Sequence, residues 1–513
     1  LGGDSLTAIT FSTYIFKKFG VSISTKDILD NPVIMNLSDY ISTFNLSNQI
    51  SSNTINRAKK MDYYPISSAQ RRIYYAAKLD DKSVLYNMSG GVIINKELNI
   101  KKLESCFKKL ITRHESLRTH FDIINNDIVQ VIDDNIDFNL SLETSSLDDL
   151  NKIYHDFVRP FDLSIAPLFR TKVVKLNNNK MLILLDMHHI ISDGTSLNIL
   201  LQELCDLYNN NKLSEKNLDY KDFTLWEKSQ FETDSFKKSR EFWVNQFKDE
   251  IPLLNMPTDY PRPSVQSFEG SNYHTKLSKE TFDKINKVAQ ELNITPYMLM
   301  LSCYYILLSK YTSQSDIVIG SPIIGRELPE LSNIIGMFVN TLSLRTTVDS
   351  SLSFDSFSQI VKTTCLDCFK NQSYPFDILV KDLNIQRDPS RNPLFDTMFS
   401  FQSEGYPRIN FDSASVEYFI PDNNISKFDI SLDITPVDNE LSIRLEYCTK
   451  LFDEEFIKRF SLHYINILNT ILNNKRIKIS DIDILSEIEK KQILYDFNNT
   501  SVDYPKNKTV VNL

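Results

Sequence analysis

Met181-Leu182-Ile183-Leu184-Leu185-Asp186-Met187-His188-His189-Ile190-Ile191-Ser192-Asp193-Gly194 is the stretch on which the reading of this chain turns. Met181 to Leu185 is a continuous apolar run of strand length. Beyond Gly194, Ser196 to Tyr208 places Leu197, Leu200, Leu201, Leu204 and Leu207 on one side of a helix. A buried strand handing over to an amphipathic helix is an α/β unit, and reactive groups concentrate on the loops at such junctions. Side chains alternate along a strand, so His188 and His189 cannot both face one cavity if the strand persists: one is structural and the other available. Asp193 is close enough across a tight turn to organise the loop, and Gly194 supplies the backbone freedom such a turn needs. An imidazole near neutral pKa is the usual group for taking a proton from an amine or hydroxyl nucleophile. The competing reading is that the pair merely ends a strand, as satisfied core residues do; that reading is preferred for the isolated His114, His120 and His463. No HxxxH, HxxE or second cluster lies near, so no metal is expected.

Outward from this stretch, composition sets the frame. A chain of 513 residues holds about three domains at roughly 150 residues each. Hydrophobic residues at 42% and charged residues at 24% describe a soluble globular protein rather than a disordered one. The net charge is −9, with no basic block to track phosphates, which argues against nucleic acid or an anionic membrane surface as partner. The most apolar stretch, Tyr297 to Leu308, is too short to span a bilayer and reads as a buried helix. No signal peptide is visible, so a cytoplasmic protein is expected. Leu1 in place of Met reads as an excerpt from something longer. Six cysteines do not make a disulfide framework, and Cys365 and Cys368 sit in a helical run as ordinary helix residues.

Residues 1–45 read as short helices, with Asn31-Pro32 as a helix start, and residues 46–60 as a polar Ser/Asn-rich linker. Two α/β blocks follow, 61–250 and 270–485, joined by a proline-rich connection over 251–269. Residues 486–513 are polar and loop-like. Ile100 to Thr112 is amphipathic. Arg113 and Arg118 stand at a helix end, where either guanidinium could pair with a buried aspartate. Asn340 is one amide inside an apolar strand and needs a partner, as structural glue or as a substrate contact. Ser5, behind Gly2-Gly3-Asp4, is a helix N-cap or an accessible modification site.

Taken together these segments resemble a nonribosomal peptide synthetase. Ser67 to Tyr74 (SSAQRRIY), Arg113 to Phe121 (RHESLRTHF), Met187 to Ser196 (MHHIISDGTS), Tyr220 to Trp226 (YKDFTLW), Ile335 to Arg345 (IGMFVNTLSLR), Asn371 to Asp377 (NQSYPFD) and Arg387 to Leu394 (RDPSRNPL) resemble, in order, the motifs of its condensation domain. Leu1 to Leu6 (LGGDSL) resembles the phosphopantetheine attachment motif of a peptidyl carrier domain, with Ser5 as the modified serine and the bundle's first helix not included. The tail from Phe497 through Tyr504-Pro505 to Thr509 resembles the start of an adenylation domain.

The resemblance implies an α/β fold of two chloramphenicol-acetyltransferase-like lobes forming a pseudodimer, preceded by the partial helical carrier domain. It implies an acyltransferase that forms an amide between an upstream carrier-bound aminoacyl or peptidyl thioester and a downstream carrier-bound aminoacyl acceptor. The substrates ride on phosphopantetheine arms through a tunnel between the lobes, and an adenylation domain is the neighbour. His189 is then the catalytic histidine, as base or as positioning group, beside His188. Asp193 is structural, paired with an arginine of the second motif, and Gly194 leaves room near the reacting atoms. Arg113, Arg118 and Asn340 support the site. SSAQRR and RHESLRT are similar to the subtype taking an L-configured donor, and Thr195 stands where the family often has Trp. The alternatives are a catalytically silent carrier-docking module, an ester-forming variant and an epimerization relative; a heterocyclization domain would have aspartates in place of His188 and His189.

Overall fold

The computed structural model describes residues 55–503 apart from 178, 403–406, 408 and 438–439, together with scattered residues between 11 and 42 and residues 509 and 511. Ser5 and the LGGDSL motif lie outside the described residues, as does most of the 46–60 linker. Among the first residues, a helix at Ile34–Ser42 follows the Asn31-Pro32 start, and Ile15, Val21, Ile23, Ile28 and Leu37 make a small core of their own.

Met181–His188 is the third strand of a five-stranded sheet ordered Val416–Phe419, Asn87–Ile94, Met181–His188, Phe169–Lys175, Ser141–Thr144. It pairs antiparallel with both neighbours, Asn87 opposite His188 and Phe169 opposite Met187. Every one of its residues is buried because both sheet faces are covered. Met181, Ile183, Leu185 and Met187 enter the core that holds Leu200 and Leu204 of the following helix. Leu182 and Leu184 enter a separate core with Ile153, Tyr154 and Phe157. This is the two-residue period of a pleated strand, read out as two cores. A small sheet of Tyr64–Pro65, Asp127–Ile132 and Thr119–Ile124 stands beside it.

The second half of the chain builds a six-stranded sheet ordered Asn340–Thr347, Asp316–Ile323, Thr397–Phe401, Ile430–Val437, Glu440–Cys448, Gly270–Leu277. Helix Pro296–Thr312 packs on it, started by the Thr295 cap and Pro296 in its first turn. Its residues Tyr297 to Leu308 are all buried, as an apolar stretch with no polar face requires. No single helix among the described residues is long and apolar enough to cross a membrane.

The two sheets do not divide the chain cleanly. Leu331, Ile334, Ile335, Met337 and Phe338 pack into the first half's core, as do Ile409 and Phe411. Val416–Phe419 adds an edge strand to the first sheet, Val416 opposite Ile94. The tail differs from the sequence expectation of a loop: Glu487–Lys491 is helical, started by a Ser486/Glu489 capping box, and Gln492–Asp496 continues it with a wider turn.

Candidate active site

The strand ends at His188, and His189–Ile191 forms a single 3₁₀ turn before Asp193 caps helix Gly194–Tyr208. Alternation along a continuing strand is therefore not what separates the histidines; the break in the strand is. The His188 N–H donates to Leu168 O (2.9 Å) and the His189 N–H to Tyr86 O (2.8 Å), which fixes the backbone on both sides of the break.

The two rings then take opposite tautomers. His188 Nδ1 accepts the Ile190 N–H at 3.2 Å, so its proton sits on Nε2; the ring packs edge-on against Phe161 and beside Tyr86. His189 Nδ1 faces the Ser192 carbonyl at 2.8 Å. A carbonyl only accepts, so Nδ1 carries the proton and Nε2 keeps its lone pair. Burial, reinforced by the charges of Lys427 and of neighbouring basic groups, lowers His188 to about 3. Burial and then the Lys427 ammonium lower His189 to about 4, against the opposing pull of Ser192 O and Asp193. Both rings are neutral at neutral pH, and His189 alone presents a free acceptor.

Asp193 is fully buried and fully partnered. Its Oδ1 accepts from the Ser196 N–H and Ser196 Oγ, each at 2.7 Å, and from Arg326 Nη2 at 3.0 Å. Its Oδ2 accepts from Arg326 Nη2 and the Phe338 N–H, each at 3.2 Å. This corrects the expected pairing. The arginine comes from the second half of the chain and not from Arg113-His114-Glu115-Ser116-Leu117-Arg118. Arg113 binds Glu203 at 3.0 Å together with His114 (2.7 Å), and Arg118 donates to the carbonyls of Asp133 and Ile111. The nearer arginines are spoken for within their own half. Arg326 also donates to Leu331 O and Ile334 O at 2.6 Å, and its guanidinium covers the Phe338 ring at 4.1 Å. Gly325 precedes it with φ +66°, and a Cβ there would strike Phe338 O at 1.9 Å, so glycine is required for the turn that aims Arg326.

Around this ion pair the sequence motifs converge. Gln70 Nε2 donates to Ile190 O (3.1 Å), and Ser67 Oγ shares a hydrogen bond with Tyr220 OH (2.8 Å), which in turn donates to Met337 O. Ser116 Oγ donates to Ile335 O at 2.6 Å. Gly336 is needed for close approach: a Cβ would lie 2.0 Å from the Tyr220 ring. Asn340 turns out to be glue, its amide nitrogen donating to Gln372 O (2.9 Å) and Tyr374 O (2.8 Å) and its oxygen accepting from the Phe376 N–H (3.1 Å). Its capacity is spent on backbone, which leaves little for a substrate.

Gly194 serves a different purpose from the one its type suggested. Its φ is not in the left-handed region, so the turn does not demand glycine, and a Cβ added there would meet nothing within 4 Å. The space beside the first turn of the helix is open at this position. Two surface hollows, of about 370 and 330 Å³, lie elsewhere: one among Ser105, Lys108 and Arg113, the other among Phe242, Arg345 and Cys368. His114, His120 and His463 are each hydrogen-bonded to an acid, Glu203, Asp133 and Glu489 respectively.

Two contributors escaped sequence reading. Arg326 follows an apolar strand through Gly325, a signal too common to single it out. Asp186, fully buried on the His188 face and 3.5 Å from Arg170, is raised to about 7 by burial; its charge inside an apolar run was the available clue.

Residues 60–494 match the family described as "Condensation domain", which covers most of the chain. The chain belongs to the condensation-domain family. Ahead of this condensation domain, residues 1–41 match "Phosphopantetheine attachment site", so the chain also carries the attachment region for that cofactor. The chain is 42% identical to gramicidin S synthase 2 of Brevibacillus brevis over 515 residues, which is 100% of the chain and 12% of that protein. It is 40% identical to surfactin synthase subunit 1 of Bacillus subtilis over 514 residues, again 100% of the chain and 14% of that protein. The chain thus spans about an eighth of the length of these two relatives. In fold, the condensation domain is similar to the X-domain from teicoplanin biosynthesis, with TM-score 0.77 at 19% identity over 84% of the chain and 100% of that domain. It is also similar to a four-domain nonribosomal peptide synthetase bound to AMP and glycine, with TM-score 0.75 at 24% identity over 85% of the chain and 35% of that protein.

Proposed function

We propose that this condensation domain joins two carrier-bound building blocks, forming an amide between the carbonyl of an upstream aminoacyl or peptidyl thioester and the amine of a downstream aminoacyl thioester. The observation that carries this reading is the tautomer of His189: Nδ1–H committed to Ser192 O, with no partner for Nε2 among the described residues. The open side of Gly194 leaves room for the ends of two phosphopantetheine arms, whose contribution when bound is a thioester that activates the donor carbonyl. His189 Nε2 accepts a hydrogen bond from the acceptor amine, orients its lone pair toward the carbonyl, and takes the proton as the C–N bond forms. Asp193 and Arg326 hold the turn so that this lone pair does not wander, and tethering both reactants supplies a large share of the rate.

Further parts of the reading rest on the motifs. Ser5 is the attachment serine; the donor is L-configured; an adenylation domain adjoins the tail; the protein works in the cytoplasm with separate carrier domains as its partners. The lobe boundaries at 61–250 and 270–485 are those proposed from composition, with 331–339 and 409–419 reaching across. The test loads aminoacyl groups onto an upstream and a downstream carrier, adds the chain and follows the downstream carrier by intact mass. A gain equal to the donor acyl group is expected; a downstream carrier of unchanged mass overturns the assignment, and an ester in place of an amide favours the ester-forming relative. Ser5→Ala is expected to abolish phosphopantetheine loading of a carrier bundle containing this segment.

A further inference from the structure

Lys427 stands just ahead of strand Ile430–Val437, in the half of the chain that does not carry the histidines. Its main chain is clamped. Gln266 Nε2 donates to its carbonyl at 3.1 Å and Asn392 Nδ2, from the RDPSRNPL segment, at 3.0 Å, while its own N–H donates to Glu446 Oε1 at 3.2 Å. Glu446 takes this backbone N–H and acts on the side chain through its charge, without an ion-pair contact to it. The ammonium lies over the face of Tyr86 at 5.2 Å and makes no salt-bridge contact with a carboxylate among the described residues. Tyr86 is the residue whose carbonyl holds the His189 N–H and whose ring lies 6.4 Å from that of His188. A second cation, Arg72 of the SSAQRRIY segment, acts on the same tyrosine from the first half of the chain; its guanidinium rests on Phe376 at 5.9 Å.

A half-buried ammonium in the field of a neutral imidazole, with no carboxylate in direct contact among the described residues, is a group a site can use against negative charge that develops only during reaction. Burial together with the nearby Arg72 and Arg444 guanidinium groups pushes Lys427 toward losing its proton, and the Glu446 charge opposes this only in part. A negative atom arriving beside it relieves that stress.

We propose that Lys427 is a catalytic residue of the amide-forming step, donating to the oxyanion that develops on the donor thioester carbonyl. This rests on the function proposed above. As the acceptor amine's lone pair forms the C–N bond, the carbonyl π pair moves onto oxygen and is held by the ammonium, while the nitrogen's extra proton passes to His189 Nε2. The C–S bond then breaks, the C=O re-forms, and the thiolate leaves with the proton from His189. Each half of the chain supplies one pole: the proton acceptor comes from the first and the electrophile from the second.

The test measures initial rates with separately loaded donor and acceptor carriers for the whole chain and for Lys427→Met, which keeps an apolar stem over Tyr86. The expected result is a loss in kcat of about 100-fold or more, with KM for the acceptor carrier within threefold, an unchanged unfolding midpoint, and at least tenfold recovery in Lys427→Arg. A kcat within threefold of the parent, a loss expressed in KM alone, or a loss confined to donors bearing a carboxylate overturns the proposal; the last marks Lys427 as a specificity residue. Should Lys427→Met fail to fold, Lys427→Arg decides: kcat within tenfold supports the role, and a folded variant with a greater loss refutes it. If the unaltered chain makes no amide, the function proposed above fails, whatever the lysine does.

Discussion

Two strand-to-helix turns in this molecule start from similar local grammar and end in different uses. In the first, Met181–His188 leads through His189 and Asp193 into helix Gly194–Tyr208; in the second, Asn340–Thr347 leads through Asp349 and Ser353 into helix Phe354–Lys370. The first strand is the third of five, paired on both sides, whereas the second is the outermost of six. The first helix cap, Asp193, is sealed by Arg326 from the other half of the chain. The second cap, Ser353, is served by local oxygens and backbone: its Oγ turns to Asp355, and the Phe354 N–H goes to Ile477 O at 2.9 Å. Enclosure, more than the turn itself, lets an imidazole be kept neutral with a directed lone pair; at a sheet edge water would supply the same hydrogen bonds and cancel the advantage.

The largest expected effect is on the first turn's chemistry. His189→Ala is expected to lower kcat for peptide formation by about 100- to 10,000-fold, with an unchanged unfolding midpoint, measured by intact mass of the acceptor carrier over time. Unchanged turnover would dissolve the contrast, leaving both turns structural. The parent enzyme's pH profile sharpens the point. His189, lowered to about 4, carries a proton on Nε2 only below that pH, so the acid limb attributable to this ring is lost activity as pH falls through about 4. A limb of this ring near 6.5 would show that the site does not desolvate it.

Next comes the ion pair. Asp193→Ala strands Arg326, whose side chain is 4% exposed, without its carboxylate. Removing one partner of a buried pair costs about 3–5 kcal/mol, and urea denaturation is the measurement. A loss below 1 kcal/mol would mean that Arg326 finds solvent on its own and that the two halves are not locked at this point.

What the sequence revealed and hid follows from range. The strand, the turn and the leucine-lined helix were legible because alternation and helical period are local. What separates the rings of His188 and His189 is a strand that stops and not, as the alternation argument supposed, one that continues. Arg326 lies 133 residues from Asp193 and belongs to the other half of the chain, so no spacing rule connects them; the resemblance pointed to Arg113 or Arg118, and Glu203 and backbone carbonyls hold those two instead. Asn340 was legible as needing partners but not as to which, since both of its acceptors lie beyond a complete helix. The helical tail was missed although Ser486 and Glu489 spell a capping box, because its apolar Ile488, Leu494 and Tyr495 are exposed and show no buried face.

A smaller effect is expected at Gly194. Since a Cβ there meets open space, Gly194→Val should fold with stability within about 1 kcal/mol of the parent. The added methyls would occupy room assigned to the reacting ends, and a displacement of that kind costs about 100-fold in kcat/KM, read from initial rates at subsaturating acceptor carrier. Parental kinetics would show that the open side of Gly194 is not where the substrates meet.

The smallest effect belongs to the second turn, and it is the control that gives the others meaning. Ser353→Ala removes a hydroxyl whose partners, Asp355 and Ser356, are also close to water, while the Ser353 backbone remains bridged to Lys478. Loss of an N-cap side chain costs roughly 1 kcal/mol, and here the backbone donors of Phe354 and Asp355 keep their carbonyl acceptors at Ile477 and Lys475, so the loss should fall at or below that value. Peptide-forming activity should stay within a factor of two. A large kinetic loss from Ser353→Ala at unchanged stability would mean that the edge turn also communicates with the reaction centre. Enclosure would then no longer be what distinguishes the two turns, because an exposed cap would carry functional weight without a buried partner.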